Sequence, residues 1–273
     1  MLYVICTPIG NLNDFSLRSI NTLNSVDKIF AEDTRVAAKL FQHHNIKRKT
    51  LPFHEHNEKE VSSKIIKLIK SGESIAFLSD AGAPLISDPG YPLIQKCVEE
   101  DITFTVLPGP SALINAVILS GLPSNKFVFM GFLPKQIEGR KKIAMKFKNS
   151  DITHIFFESA KRISKTIDIF LEVLGPNIQV SICREMTKEF ESIFRGSLFE
   201  IKNKIITKKI TLLGEFVLLL HNNLDQVKRF DLDEDFCRPF LEYLSPTDAS
   251  RLIAKISTHS KQDVYKFLLD ISK

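Results

Sequence analysis

Apolar residues in the first part of the chain follow two spacings. Short runs such as Tyr3-Val4-Ile5-Cys6, Ile75-Ala76-Phe77-Leu78 and Phe104-Thr105-Val106-Leu107 read as buried strands, whereas Val61, Ile65, Leu68 and Ile69 recur along one helix face. This alternation over 1–121 predicts an N-terminal α/β domain with a parallel-rich sheet covered by helices. Gly121-Leu122-Pro123-Ser124-Asn125 then concentrates turn formers, and a fresh apolar run, Phe127-Val128-Phe129-Met130, follows. A second α/β domain is expected over 122–222. It has strands at Ile155-Phe156-Phe157, Val180-Ser181-Ile182 and Phe216-Val217-Leu218-Leu219, and a helix carrying Ile163, Ile167, Phe170, Leu171 and Leu174. Over 223–273 an acidic connector, Asp231-Leu232-Asp233-Glu234-Asp235, leads into a helical extension. There Ser245-Pro246 is expected as N-cap and first helical position, and Val264, Phe267, Leu268 and Ile271 as the last apolar face.

Each of the three N-terminal strand runs opens into a loop of small residues and turn formers. The first gives Thr7-Pro8-Ile9-Gly10-Asn11-Leu12, the second Ser79-Asp80-Ala81-Gly82-Ala83-Pro84 running on to Asp88-Pro89-Gly90, and the third Pro108-Gly109-Pro110-Ser111-Ala112. Loops at the carboxyl ends of strands are where α/β proteins place ligands, so these three offer backbone to one crevice. Neither a G-x-G-x-x-G after the first strand nor a G-x-x-x-x-G-K-[ST] is present, which argues against an ordinary dinucleotide or P-loop site.

At 273 residues and 44% hydrophobic, the chain is long enough for two modest domains with real cores. Its formal charge of +5 matters only where it is clustered. Lys135, Arg140, Lys141, Lys142, Lys146 and Lys148, opposed only by Glu138, make the best candidate for phosphate contact, and Lys202, Lys204, Lys208 and Lys209 a weaker one. A solvated helix face is the competing reading of the first cluster. Four dispersed cysteines show no disulfide or zinc spacing and are read as reduced, buried thiols. No apolar run reaches the roughly 18 residues that span a bilayer and no signal pattern opens the chain, so a cytoplasmic protein without membrane contact is expected.

Glu32-Asp33-Thr34-Arg35 at a strand end, and Arg184-Glu185-Met186-Thr187-Lys188 after another, are charged clusters that fit either a ligand site or internal pairing. His54-Glu55-His56 lacks a third ligand at metal spacing, and Glu55, Asn57 and Glu58 fit a polar pocket instead. Ser111 suits a helix N-cap and a ligand contact at once.

Taken with Gly131-Phe132-Leu133-Pro134, the Thr7–Leu12, Glu32–Arg35, Ser79–Gly82, Pro108–Ala112 and Arg184–Lys188 segments resemble the small-subunit ribosomal RNA methyltransferases of the tetrapyrrole-methylase-like class. The resemblance runs from residue 1 to about 221. It implies a two-domain class III methyltransferase fold with S-adenosyl-L-methionine in the cleft between the domains. The implied reaction is methylation of a cytidine ribose 2′-hydroxyl in the decoding region of bacterial 16S rRNA, presented as naked RNA or as the small ribosomal subunit. It further implies a homodimer. The cofactor contacts it implies are Pro8, Asp80, Ala81, Gly82, Leu85, Ser111, Ala112 and Phe157. Glu32, Asp33 and Glu185 are candidates for the base, and Arg35, Arg184 and Lys188 for holding phosphate or acidifying the hydroxyl. The chain departs from the family pattern at Ala83 in place of Thr, at Ala160-Lys161-Arg162 in place of Pro-His-Arg, and at Leu213, where a basic residue often precedes Gly214. A methyltransferase of the same fold acting on a tetrapyrrole or a protein side chain, and a non-catalytic RNA-binding assembly factor, are the alternatives.

Overall fold

The structure is a computed structural model that describes residues 1–223, 232–257 and 259–272. Met1–Asn222 forms one compact unit and Asn223–Lys273 a second. Asp231 of the acidic connector lies outside the described residues.

The first sheet contains β1 (Leu2–Ile5), β2 (Lys28–Ala31), β3 (Thr50–Pro52), β4 (Ile75–Leu78) and β5 (Phe104–Leu107), in the order β3-β2-β4-β1-β5. Every pairing is parallel. A parallel sheet is covered on both faces, which is why β4 is apolar at all four positions and wholly buried. On one face α1 (Leu17–Ser25) and α2 (Thr34–His43) contribute Leu23, Leu40 and Phe41 to a core with Ile5, Ile29 and Leu78. On the other, α3 (Glu58–Lys70) and α4 (Tyr91–Glu99) bring Ile65, Ile66 and Leu93 against Val4, Phe30 and Phe77. The edge strand β3 has only three residues and ends in Pro52, too short to show an alternation in sequence.

The helix α5 (Ala112–Ser120) precedes the turn at Gly121 but packs on the second sheet: Ala116 and Val117 are buried with Ile155, Cys183, Val217 and Leu219. That sheet has β6 (Phe127–Phe132), β7 (Thr153–Ser159), β8 (Gln179–Arg184), β9 (Ser192–Ser197) and β10 (Glu215–His221), in the order β6-β7-β10-β8-β9. Only β6 and β7 run parallel. Its other face is covered by α6 (Ile137–Phe147), α7 (Ala160–Leu174) and α8 (Leu198–Ile206), around Phe147, Phe156, Ile163, Phe170 and Ile201.

The second unit consists, among its described residues, of α9 (Glu234–Tyr243), α10 (Pro246–Ile256) and α11 (Lys261–Ile271). Cys237, Ala249, Ile253, Val264 and Leu268 form its core. Ser245 caps α10 with Pro246 in the first turn, as its sequence predicts.

Two expectations need correction. Arg140 does not belong to a basic face: it is 4% exposed and donates to the carbonyls of Pro134 and Lys135 and to Thr166 Oγ1. Arg184 is likewise buried, donating to the carbonyls of Leu213 and Phe190, so it is no phosphate ligand. In both cases an interior carbonyl cluster that no linear pattern shows claims the guanidinium. Lys135, Lys142, Lys146 and Lys148 are exposed, while Lys141 pairs with Glu172 at 2.6 Å.

Candidate active site between the two sheets

The loops that leave β1, β4 and β5 converge at the carboxyl edge of the first sheet. Thr7 and Gly82 exchange backbone hydrogen bonds of 2.8 and 3.0 Å, which ties the β1 loop to the β4 loop. Asn11 N–H donates to Thr187 Oγ1 at 3.1 Å, which ties the β1 loop to the segment after β8. A Cβ on Gly10 would fall 2.5 Å from Lys188 Cγ and 3.1 Å from the Met186 carbonyl oxygen, so this approach demands glycine.

These contacts enclose a cavity of about 340 Å³, within the range of small-molecule sites. Its walls are Ile9, Ala81–Ala83 and Ile86–Asp88 from the first sheet's loops, Ser111–Leu113 at the start of α5, and Phe132, Phe157–Ser159, Met186 and Gly214–Val217 from the second sheet. Seven non-glycine residues have positive φ among the described residues, and four of them, Leu85, Ser87, Glu185 and Thr187, lie in two loops at this cavity. Backbone strain of this kind gathers where the surroundings must hold a ligand-binding shape.

The lining is mostly apolar with a few polar groups at fixed places. Phe157 packs edge-on against Phe129 and Phe132, with ring centroids 4.8 and 5.5 Å apart. Ser111 N-caps α5, accepting from Ile114 N–H at 3.5 Å, and the amides of the first helical turn have no partners within a helix. Glu158 is fully buried and ion-paired with Arg162 at 2.6 Å. Burial pushes the Asp88 carboxyl up to about 6, the nearby Asp80 charge adding to the effect and the Ser79 hydroxyl opposing it.

Of the sequence-predicted cofactor contacts, Ala81, Gly82, Ser111, Ala112 and Phe157 line the cavity, whereas Pro8, Asp80 and Leu85 are not among its lining residues. Asp80 instead accepts from Asp33 N–H at 2.9 Å, and burial raises its carboxyl above the usual range. Glu32 accepts from Asp80 N–H at 3.3 Å and is raised by burial. Asp33 caps α2 and chelates Arg35 at 2.6 Å, and that guanidinium's hydrogen bond holds it far below the ordinary carboxylate range.

Glu185 accepts from Glu215 N–H at 2.8 Å and pairs with Lys188 at 3.1 Å. Burial would raise its carboxyl, but the Glu215 amide and Lys188 outweigh that and hold it low. Lys188 also reaches Glu215 at 2.9 Å. Glu32, Asp33, Arg35, Glu185 and Lys188 thus form two internally paired groups, neither among the lining residues. His54 and Asn57 bond locally, and Glu58 accepts from Gly90 N–H at 3.1 Å, which braces the β4 loop. No three His, Cys, Asp or Glu side chains come together for a metal among the described residues.

Residue-level reasoning missed Ile9, Asp88, Glu158, Met186 and Gly214–Val217. Ile9, Asp88, Met186 and Gly214 stand in motifs already quoted; Val217 carries no signal beyond its apolar strand.

A profile of the Tetrapyrrole (Corrin/Porphyrin) Methylases matches residues 1–202. The chain belongs to the tetrapyrrole methylase family. Ribosomal RNA small subunit methyltransferase I of Halalkalibacterium halodurans is 39% identical over 269 residues, 98% of this chain and 90% of that protein. The protein of the same name from Vibrio cholerae is 40% identical, covering 99% of this chain and 94% of its own length. Among solved structures the methyltransferase CobJ shares the fold, with a TM-score of 0.59 at 16% identity over 81% of this chain and 94% of that one.

As a tetrapyrrole methylase, the protein is a methyltransferase whose methyl donor is S-adenosyl-L-methionine. The cavity suits such a donor. Gly82 has φ +80, and a Cβ there would sit 3.3 Å from Ile9 Cγ2, so a side chain at this point of the wall would be strained and crowded. Apolar walls at Phe157, Met186 and Val217 accept a planar, poorly hydrated base, and the first-turn amides of α5 suit anionic or hydroxyl oxygens.

Proposed function

We propose that the protein methylates ribosomal RNA of the small subunit, and that the acceptor is the ribose 2′-hydroxyl of a cytidine in the decoding region. Identity of 39% and 40% over nearly the whole chain to two proteins named ribosomal RNA small subunit methyltransferase I supports the RNA class of the acceptor. The donor supplies an activated methyl on a sulfonium, so the chain's own work is to position, exclude water and receive a proton. In this reading Ala81, Gly82, Ser111, Ala112 and Phe157 hold the donor, while Phe132, 59% exposed on the cavity wall, offers a ring face to the acceptor base. Exposed Lys135, Lys142, Lys146 and Lys148 hold the RNA backbone.

The proposal includes a cytoplasmic homodimer. Val106 on the edge strand β5 and Ile118 on α5 are 51% and 73% exposed, apolar surface of the kind that subunits cover. Light scattering on the purified chain tests this, and a monomer at working concentration rejects it.

Function is tested by incubating the protein with labelled donor and unmodified small subunits or naked 16S rRNA, then mapping 2′-O-methylation by nucleotide. One modified cytidine in the decoding region is the expected result. Transfer to a tetrapyrrole but to neither RNA would reject the proposal.

A further inference from the structure

Three carboxylates stand on the cavity wall: Asp88, Glu158 and Glu215. Two are occupied. Glu158 holds Arg162 at 2.6 Å, the Thr166 hydroxyl at 2.7 Å and the Ser159 amide at 2.8 Å. Glu215 points largely to solvent, its side chain 80% exposed, and binds Lys188. Asp88 has no cationic partner among the described residues; the groups that act on it are the Ser79 hydroxyl and the Asp80 carboxylate, and it in turn acts on Glu32. In the same loop the Gly90 amide donates to Glu58, and the one charge that acts on Asp88 among the described residues, Asp80, is negative.

We propose that Asp88 is the general base of methyl transfer, accepting the proton of the acceptor hydroxyl. This rests on the hydroxyl acceptor proposed above. The hydroxyl oxygen bonds to the methyl carbon as the methyl–sulfur bond breaks, its electron pair staying on sulfur. The hydroxyl proton passes to the Asp88 carboxylate, which releases it to water afterwards.

Geometry favours Asp88 over the other carboxylates. Glu32, Asp33 and Glu185 each accept backbone amides, Asp33 and Glu185 are also ion-paired, and none lines the cavity. Asp88 follows Leu85 and Ser87, both at positive φ, and precedes Pro89, so its loop is held in one shape. Partial burial also makes it a stronger base than an exposed aspartate, matched to work near neutral pH.

The test compares wild type, Asp88→Asn and Asp88→Glu in single-turnover methyl transfer to unmodified small subunits across about pH 5 to 8. Donor binding is measured by calorimetry on each. The expected wild-type rate falls below about pH 6, where Asp88 takes up a proton. Asp88→Asn should lose about 10²-fold or more in rate and lose that acidic limb, with donor affinity unchanged. Asp88→Glu should keep the limb at a reduced rate. A wild-type rate and limb in Asp88→Asn would overturn the inference, as would loss of donor binding, which would make Asp88 a donor contact. Wild type that binds donor but methylates no RNA would remove the acceptor reading, and the base assignment with it.

Discussion

Glu158 and Asp88 show how one cavity wall treats two carboxylates differently. Glu158 is fully buried, and its oxygens hold Arg162, Thr166 and the Ser159 amide, while Thr166 in turn accepts from Arg140 at 3.1 Å. Glu158→Ala takes the carboxylate from the partly exposed Arg162, which keeps Ser159 Oγ and the Leu133 carbonyl, and from the buried Thr166 hydroxyl, and should cost about 1–3 kcal/mol, read from the urea midpoint. Glu158→Gln, which keeps hydrogen bonds, should cost less. Asp88 has the opposite sign. Its carboxyl is raised to about 6 from an ordinary value of 3.8, so the folded state binds the proton more tightly than the unfolded chain does. Its effect on stability is therefore absent below pH 3.8 and grows more unfavourable as pH rises to about 6. Asp88→Asn should raise the denaturation midpoint at pH 7 and lose that advantage near pH 4, the expected trade between a poised functional group and stability.

The cysteines complete the residue scale. All four are buried, and burial pushes Cys97 and Cys183 up to about 11. Thiol reagents at neutral pH should label none of them until the protein unfolds, as followed by mass spectrometry.

Among the elements, α8 has the most completely specified start. Ser197 Oγ accepts from Glu200 N–H at 3.2 Å, and Glu200 Oε2 accepts from Ser197 N–H at 2.7 Å, a reciprocal capping box. Ser197→Ala should cost about 1 kcal/mol without altering donor binding, checked by thermal melting beside calorimetry. The α5 helix shows the limit of such local reasoning. Its sequence, Ala-Leu-Ile-Asn-Ala-Val-Ile-Leu-Ser, is apolar on more than one face, so periodicity alone does not say which sheet it joins. Ala116 and Val117 turn to the second sheet while its first turn stays at the cavity, which makes α5 the element that binds the two sheets around the site.

At the scale of the molecule, the helical unit Asn223–Lys273 is separate from the unit that carries the cavity. Ribosomal RNA small subunit methyltransferase I of Thermotoga maritima is 42% identical over 219 residues, 97% of its own length but 80% of this chain. A chain ending at Asn222 should therefore remain folded and keep donor affinity; a large loss by calorimetry would show that the helices support the site.

The chain's own order of residues determined the alternation of strand and helix, the parallel first sheet and the three glycine- and proline-rich loops at its carboxyl edge. These are local matters: burial on both faces makes a strand continuously apolar, and tight turns demand small residues. The motif spacing likewise carried the family. Tertiary structure alone decided which charged residues were free. Glu32, Asp33, Glu185, Arg140 and Arg184 looked like available chemistry in one dimension, and each is claimed by a partner that folding supplies: Asp80, Arg35, Lys188, the Pro134 carbonyl and the Leu213 carbonyl. In sequence Asp88 is one loop carboxylate among several, and it becomes distinctive only through its burial and the lack of a cationic partner among the described residues. Asp33–Arg35 and Glu185–Lys188 pair within their own motifs, whereas the partners of Glu32 and Arg184 lie 48 and 29 residues away, where a linear pattern records the charge and not what meets it.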